Sequence, residues 1–236
     1  MANNFYNAVR RNVSADSTLP TEVYKVPDTK KAILIELDVA NKSSSGVIVT
    51  VSMCDASQNQ TYNTTGTVVN DDASAISALT AGTGVFTTTS SEAHNLIVND
   101  RVVFTAGSNP SFLDASLPSS GDTMLSTATS TPATARNRMY YVQSVPSAST
   151  FTIAESESAS AALTFDNAGS TVKMSKIHLA DIVRDAPIPV GGSLKVISGQ
   201  KLVIESAHAN VNDKIFVHSS AANAVDCIAS VLQEVS

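Results

Sequence analysis

The feature that most constrains this chain is a set of short segments in which every second residue is apolar, with almost no helical periodicity between them. A period of two with β-branched residues is typical of a half-buried β-strand. The clearest segment spans residues 32–40 (AILIELDVA). In it, four apolar residues fall on one predicted face and two carboxylates on the other: Ile33, Ile35, Leu37 and Val39 against Glu36 and Asp38.

The same pattern recurs near both ends of the chain. Residues 41–46 (NKSSSG) predict a turn and the alternation resumes over 47–53, so we expect an antiparallel hairpin here. Further strands are predicted roughly every ten residues, a spacing typical of an all-β sandwich or barrel, at 194–197, 201–205, 214–218 and 227–232. The best helical candidates, 73–79 and 176–183, lack convincing caps.

The middle of the chain differs in composition and indicates a second domain. Residues 81–174 are rich in Ser, Thr and Ala, and the stretch at about 105–138 holds only isolated apolar residues, which predicts an exposed binding loop or a mobile arm. Because a lone hairpin is marginally stable in water, we expect the N-terminal strands to need the C-terminal ones. The prediction is an all-β protein in which 1–80 and 175–236 form a discontinuous β-sandwich host domain and 81–174 form an inserted β-barrel-like domain.

Charge and local composition exclude several classes of function. A net charge of −6 with scattered Lys and Arg argues against a groove for nucleic-acid phosphates. The sequence contains no run of eighteen apolar residues, the length that a membrane-spanning helix needs. The first residues lack the apolar segment of a secretory signal. The polar stretch 1–18 is expected to be either an arm that orders on a neighbouring subunit or a frayed terminus.

The sequence predicts no catalytic residue, no cofactor-binding residue and no metal ligand. His208 and His218 lie in neighbouring predicted strands around Asp213, and we interpret them as surface histidines on a hairpin. The remaining groups have structural interpretations: buried reduced thiols for Cys54 and Cys227, a solvent-facing turn for Asp71 and Asp72, and a local salt-bridge cluster for Asp181, Arg184 and Asp185. Phosphate-cradling glycine motifs and a nucleophile elbow are absent from the sequence.

Two segments resemble structural proteins of tailed bacteriophages. Residues 94–104 (HNLIVNDRVVF) are similar to the HGLxxGDxVxF motif of small β modules in such proteins. Three later segments of the module are matched in the same order, by 140–142 (YYV), 149–154 (STFTIA) and 162–170 (ALTFDNAGS). Asn95 and Asn99 replace the two motif glycines. Because Asn tolerates positive φ, the turn is expected to keep its geometry. The host domain resembles small virion proteins of marine tailed phages in 186–194 (APIPVGGSL), 201–205 (KLVIE) and 219–226 (SSAANAVD).

The resemblance implies a non-enzymatic virion subunit in the tail, neck or fibre-attachment region, localised to the virion after assembly in the host cytoplasm. The expected partners are copies of the same chain in a ring or trimer and other virion structural proteins, with no nucleic acid and no membrane. Three alternatives stay open: a capsid decoration protein, a host-glycan-binding adhesin module, and a hydrolase with a site assembled from scattered residues. Absence of Trp argues against the adhesin, since sugar platforms use aromatic faces.

Overall fold

A computed structural model gives the structure of residues 4–56, 75–88, 94, 96–106, 139–157, 159–164, 172–208 and 211–234. Their regular secondary structure is β-strand apart from a short 3-10 turn at Ala81–Thr83, so the predicted all-β class is confirmed. The strands in chain order are β1 (Asn4–Arg10), β2 (Thr21–Lys25), β3 (Lys31–Asn41), β4 (Val47–Cys54), β5 (Ala75–Thr80), β6 (Val85–Thr88), β7 (Arg101–Ala106), β8 (Tyr140–Ser147), β9 (Thr150–Ala154), β10 (Val172–Ile177), β11 (Leu179–Ile188), β12 (Ser193–Ile197), β13 (Leu202–His208), β14 (Val211–Asn212), β15 (Lys214–Ser219) and β16 (Val225–Glu234). Within these ranges, no helix has the length and apolar character needed to cross a membrane.

The chain divides into two compact units, Met1–Gln58 with His178–Ser236, and Asn59–Ile177. It leaves the first unit after β4 and returns at β11, which pairs with β4. Our sequence-based boundaries at residues 80 and 175 differ from these. The reason is that β5, which we placed in the host domain, pairs with β6 and β10 of the second unit.

The first unit contains two antiparallel sheets that share one hydrophobic core. One sheet has the order β1-β16-β3-β13-β14, with β12 also paired to β3, and the other has the order β11-β4-β15-β2. Both sheets contribute fully buried side chains to the same cluster, among them Leu34, Leu37 and Val39 from β3, Val49 and Val51 from β4, and Ile215 and Val217 from β15. Burial of such side chains contributes roughly 1.5–3 kcal/mol each, so this core stabilises the β-sandwich.

Strand β3 does not keep the alternation that its sequence indicates. Leu34, Leu37 and Val39 are fully buried, whereas Ile33 and Ile35 are only partly buried, so our assignment of all four predicted apolar positions to one face is wrong. The register with β16 shifts here, because Ser230 pairs with Glu36 and the next residue, Val231, pairs with Leu34. One extra residue in β3, a β-bulge, moves the apolar side chains before it onto the other face.

The predicted β3–β4 hairpin is also wrong, because the two strands belong to different sheets. Both edges of β3 are already occupied, by β16 on one side and by β12 and β13 on the other. The turn therefore carries the chain from one sheet to the other. Buried Asn41 holds this crossing, since its Nδ2 donates to the carbonyls of Ser45 (2.8 Å) and Ile188 (3.1 Å).

Pairing over long sequence separations determines the structure of the N-terminal stretch and of the two weak helical candidates. The N-terminal stretch is neither an arm nor frayed over β1, which pairs along seven residues with β16 from the far end of the chain. The weak helical candidates at 73–79 and 176–183 overlap β5 and the strands β10 and β11. Secondary structure in these segments follows from their partners rather than from their own sequence pattern.

The second unit contains a closed barrel with the strand order β10-β5-β6-β9-β8-β7. Its interior includes the stacked rings of Phe86 and Phe151, whose centroids lie 5.2 Å apart, and fully buried Tyr140 and Ile153. Closure pairs every strand on both sides, so this sheet has no open edge among the described strands. The predicted loop at about 105–138 lies outside the described residues, except for its first two positions at the end of β7.

Candidate functional site

The motif segment at 94–104 begins with a histidine that is buried and fixed by two hydrogen bonds. The Leu96 N–H donates to His94 Nδ1 (3.0 Å), and His94 Nε2 lies 3.2 Å from the carbonyl oxygen of Thr150. Because Nδ1 accepts, the ring proton is on Nε2 and donates to that carbonyl. The ring also packs edge-on against Phe151 at 5.5 Å. His94 therefore anchors the turn inside the barrel.

The turn that follows has the geometry expected for glycine, although an asparagine occupies the position. The Asp100 N–H donates to Ile97 O (3.1 Å), and the Ile97 N–H donates back to Asp100 Oδ2 (2.8 Å). Asn99 has a φ of 73°, the left-handed value that a type II turn requires at its third residue. Asn95 lies outside the described residues. The tip of the turn exposes Ile97 and Val98.

Two charged side chains behind the turn are held by the barrel wall. Lys176 Nζ lies 2.6 Å from Asp100 Oδ2, and both side chains are largely buried. The Arg101 guanidinium stacks over the Tyr141 ring at 3.4 Å and its Nη1 donates to Met139 O (3.2 Å). These contacts attach the turn to the strands of the barrel.

The histidines singled out in the sequence do not form the expected pair. β13 and β15 belong to different sheets, so the hairpin that we predicted to carry His208 and His218 does not exist. Considering only the described part of the chain, no group of three His, Cys, Asp or Glu side chains could hold a metal ion. Asp71 and Asp72 lie outside the described residues.

The two cysteines are both buried thiols, as predicted. They lie in different sheets, Cys54 at the end of β4 and Cys227 in β16. Burial, with a smaller effect of the neighbouring Asp226 charge, raises the pKa of Cys227 to about 12. Because the thiolate is the reactive form of cysteine, this thiol is not a nucleophile near neutral pH.

The predicted cluster around Arg184 has a different arrangement. Arg184 Nε lies 3.7 Å from Asp185 Oδ2 on the surface, but Asp181 accepts a hydrogen bond from Ser52 Oγ (2.7 Å). Asp185 has a φ of 51° and its N–H donates to Thr50 Oγ1 (3.2 Å). These carboxylates secure an irregular strand, β11, to its neighbour β4.

Asp213, which we placed in a turn between two histidines, links the two sheets of the sandwich. It is buried, and its carboxylate accepts from the N–H of Ala56 (2.8 Å) and from the N–H of Glu205 (2.9 Å). Burial raises the pKa of Asp213, although these hydrogen bonds oppose the shift. This carboxylate therefore satisfies two backbone donors, one in β13 and one just after β4 of the other sheet.

The feature with the strongest functional implication is the outer face of the six-stranded sheet. Four apolar side chains lie side by side across strands β1, β16, β3 and β13, and we call them the outer apolar row: Phe5, Leu232, Ile33 and Val203. Phe5 is 79% exposed and Val203 is 59% exposed. Leu232 and Ile33 between them are partly buried. Apolar side chains grouped on a surface are typical of interaction sites, so this face is the candidate functional surface.

Polar side chains border the outer apolar row along the strands. Asn7 faces Ser230, which faces Glu36, and beyond them Val9 faces Ile228, each about half exposed. An apolar row bordered by polar groups can bind another surface by excluding water, with the polar groups fixing its register. The four side chains of the outer apolar row are hydrocarbon, so the interaction that they support is apolar association.

Sequence analysis missed this surface for two reasons. We assigned Ile33 to the core face because the bulge in β3 was not visible. We placed Phe5 in a stretch expected to be an arm or a frayed terminus, because its partner Leu232 is near the other end of the chain. The only signal was the presence of apolar residues in the polar N-terminal stretch. Comparison with protein-family models, with curated proteins and with solved structures gives no match for this chain.

Proposed function

We propose that this chain is a non-enzymatic structural subunit of a tailed-bacteriophage particle, located in the tail, neck or fibre-attachment region. The observation that carries the proposal is the outer apolar row, which gives a rigid sheet an exposed surface suited to association. A subunit that becomes part of a larger assembly must present such a surface.

Two further observations support this function. The motif segment that resembles phage structural modules is built into a closed barrel, where His94 and Asn99 have purely structural roles. The titratable groups described above are used in backbone and ion-pair contacts, as Asp213 and Asp100 illustrate. A protein whose polar groups serve its own framework is suited to a mechanical role.

Quantitative mass spectrometry of gradient-purified particles tests the proposal. The particles are those of the phage whose genome encodes this chain, and host lysate proteins of similar abundance serve as the control. We expect peptides of this chain at a fixed ratio to the major capsid protein through successive purification steps. A ratio that falls to that of host contaminants would contradict a virion role, and binding of the purified protein to glycans would then favour the adhesin.

A further inference from the structure

Strand β1 forms an unusually open edge of the six-stranded sheet. It pairs with β16 over seven consecutive residues without a register shift, it contains no proline, and its only charged residue is Arg10 at its end. Long, flat and weakly charged edges can pair with another strand, and proteins usually protect them. Apart from Arg10 at its end, whose Nη1 donates to Val9 O, the edge of β1 has none of the usual protections.

The other edge strands of the first unit are protected. β11 has two register shifts and contains Pro187. β2 is short, and the carbonyl of its Glu22 already accepts from Arg10 Nε (2.7 Å). β14 is two residues long, and β12 has a register shift next to Lys195. Among the described strands, the edge of β1 is therefore best matched by a second copy of itself.

The outward backbone groups of β1 can be assigned from the hydrogen bonds around it. On the β1 side of β16, the Val13 N–H donates to Val225 O (3.0 Å). Val225 and every second residue after it on β16 therefore direct their backbone groups toward β1. Val9 O accepts from the exposed Arg10 Nη1 (3.3 Å), so that carbonyl points away from β16. In an antiparallel pair the facing residues alternate, so Phe5, Asn7 and Val9 direct their N–H and C=O groups to the open edge.

We propose that two copies of this chain associate through β1, as an antiparallel pair with Asn7 on the two-fold axis, and join two six-stranded sheets into one. In this register, Phe5 faces Val9 of the second copy, and Asn4 faces its Arg10. Three residue pairs exchange backbone hydrogen bonds, and no like charges meet. The same residues form both sides of the contact, as a two-fold interface requires.

The contact also continues the apolar surface already present. Leu232 and Phe5 are neighbours in the outer apolar row, and Val9 is the neighbour of Ile228. Pairing places Phe5 beside Val9 of the second copy, so apolar side chains continue across the two-fold axis. Phe5, the most exposed aromatic side chain of the sheet, is then covered by this neighbour. This inference does not rest on the proposed function, and assembly into a ring or trimer would use another surface.

Matched charge substitutions on the full chain test the proposal. Asn7→Lys places two positive charges opposite each other on the axis, whereas Ser230→Lys puts the same charge on the same face one strand away. We expect the wild-type chain and Ser230→Lys to be dimers by sedimentation velocity, and the dimer of Asn7→Lys to be weaker by roughly five-fold or more. A wild-type monomer at all concentrations, or equal effects of both substitutions, would overturn the proposal.

A cysteine pair gives a second readout that does not depend on weakening the fold. Residues paired by hydrogen bonds across antiparallel strands have Cα atoms about 5.5 Å apart, within the range that a disulfide spans. We expect Asn7→Cys to form a disulfide-linked dimer under mild oxidation. Ser230→Cys should stay unlinked, because three strand spacings, about 14 Å, separate it from its copy. Equal cross-linking of both variants, or none with Asn7→Cys, would refute the register.

Discussion

Replacing Asp213 by alanine tests how the two sheets of the sandwich are joined. The substitution leaves the buried N–H of Ala56 and the part-buried N–H of Glu205 without the acceptors that they have at 2.8 and 2.9 Å. Each such loss costs about 1–3 kcal/mol, and relief from burying a carboxylate offsets part of it. We therefore expect Asp213→Ala to lower the free energy of unfolding by about 3 kcal/mol.

Urea unfolding followed by far-UV circular dichroism measures this change, since the chain has no tryptophan. Asp213→Asn keeps one acceptor oxygen and should have an intermediate effect. Asp181→Ala is the matched control. Asp181 is exposed and, among the described residues, accepts a side-chain hydrogen bond from Ser52 Oγ alone, so its loss should cost less than about 1 kcal/mol. Equal stability of Asp213→Ala and Asp181→Ala would refute the linking role.

The same carboxylate predicts a pH dependence with a defined sign. Burial raises the folded-state pKa of Asp213 above its unfolded value, so the folded state binds this proton more tightly. The contribution of this group to stability is therefore fully present below about pH 4 and is lost as the pH rises through the folded-state pKa. Asp213→Asn should remove this dependence, and an unchanged pH profile would contradict the assignment.

Substitutions at three further positions give separate tests. Asn99→Ala should destabilise the second unit by about 1 kcal/mol in thermal melts while Asn99→Gly should not, because a φ of 73° suits glycine. Asn41→Ala should cost about 2–4 kcal/mol in urea unfolding, since it removes a buried amide that donates to Ile188 O, and an unchanged midpoint would contradict this. Burial opposes a low pKa at Asp226, but the hydrogen bond from Lys42 lowers the pKa of this carboxyl. Asp226 therefore stabilises the fold above about pH 4 and loses that effect as the pH falls. Acid titration of Asp226→Asn should accordingly show a weaker loss of stability than the wild type.

The strands that the sequence predicted best are those with strong alternation of their own. Residues 32–40, 47–53 and 227–232 became β3, β4 and β16, because β-branched residues there bury one face in a shared core. Their pairing could not be predicted, since a strand of period two fits many partners. β3 therefore pairs with β16 and not with β4, although a short turn joins β3 to β4.

The candidate surface was less predictable than the fold for a specific physical reason. A one-residue bulge in β3 moved Ile33 to the outer face, and long-range pairing brought Phe5 beside Leu232. Neither event leaves a local pattern, because a bulge and a partner strand are properties of the sheet. By contrast, the left-handed conformation of Asn99 was predictable, since few residues other than glycine tolerate it.

Immunogold electron microscopy of intact particles tests the central claim most directly. Antibody against the purified chain is applied to phage particles prepared from the source that carries its gene, with particles of an unrelated phage as the control. The account predicts gold at the neck or along the tail, at fixed positions on most particles. Gold spread over the head would move the protein to the decoration class, and particles that bind no gold and contain no peptide of this chain would contradict a structural role.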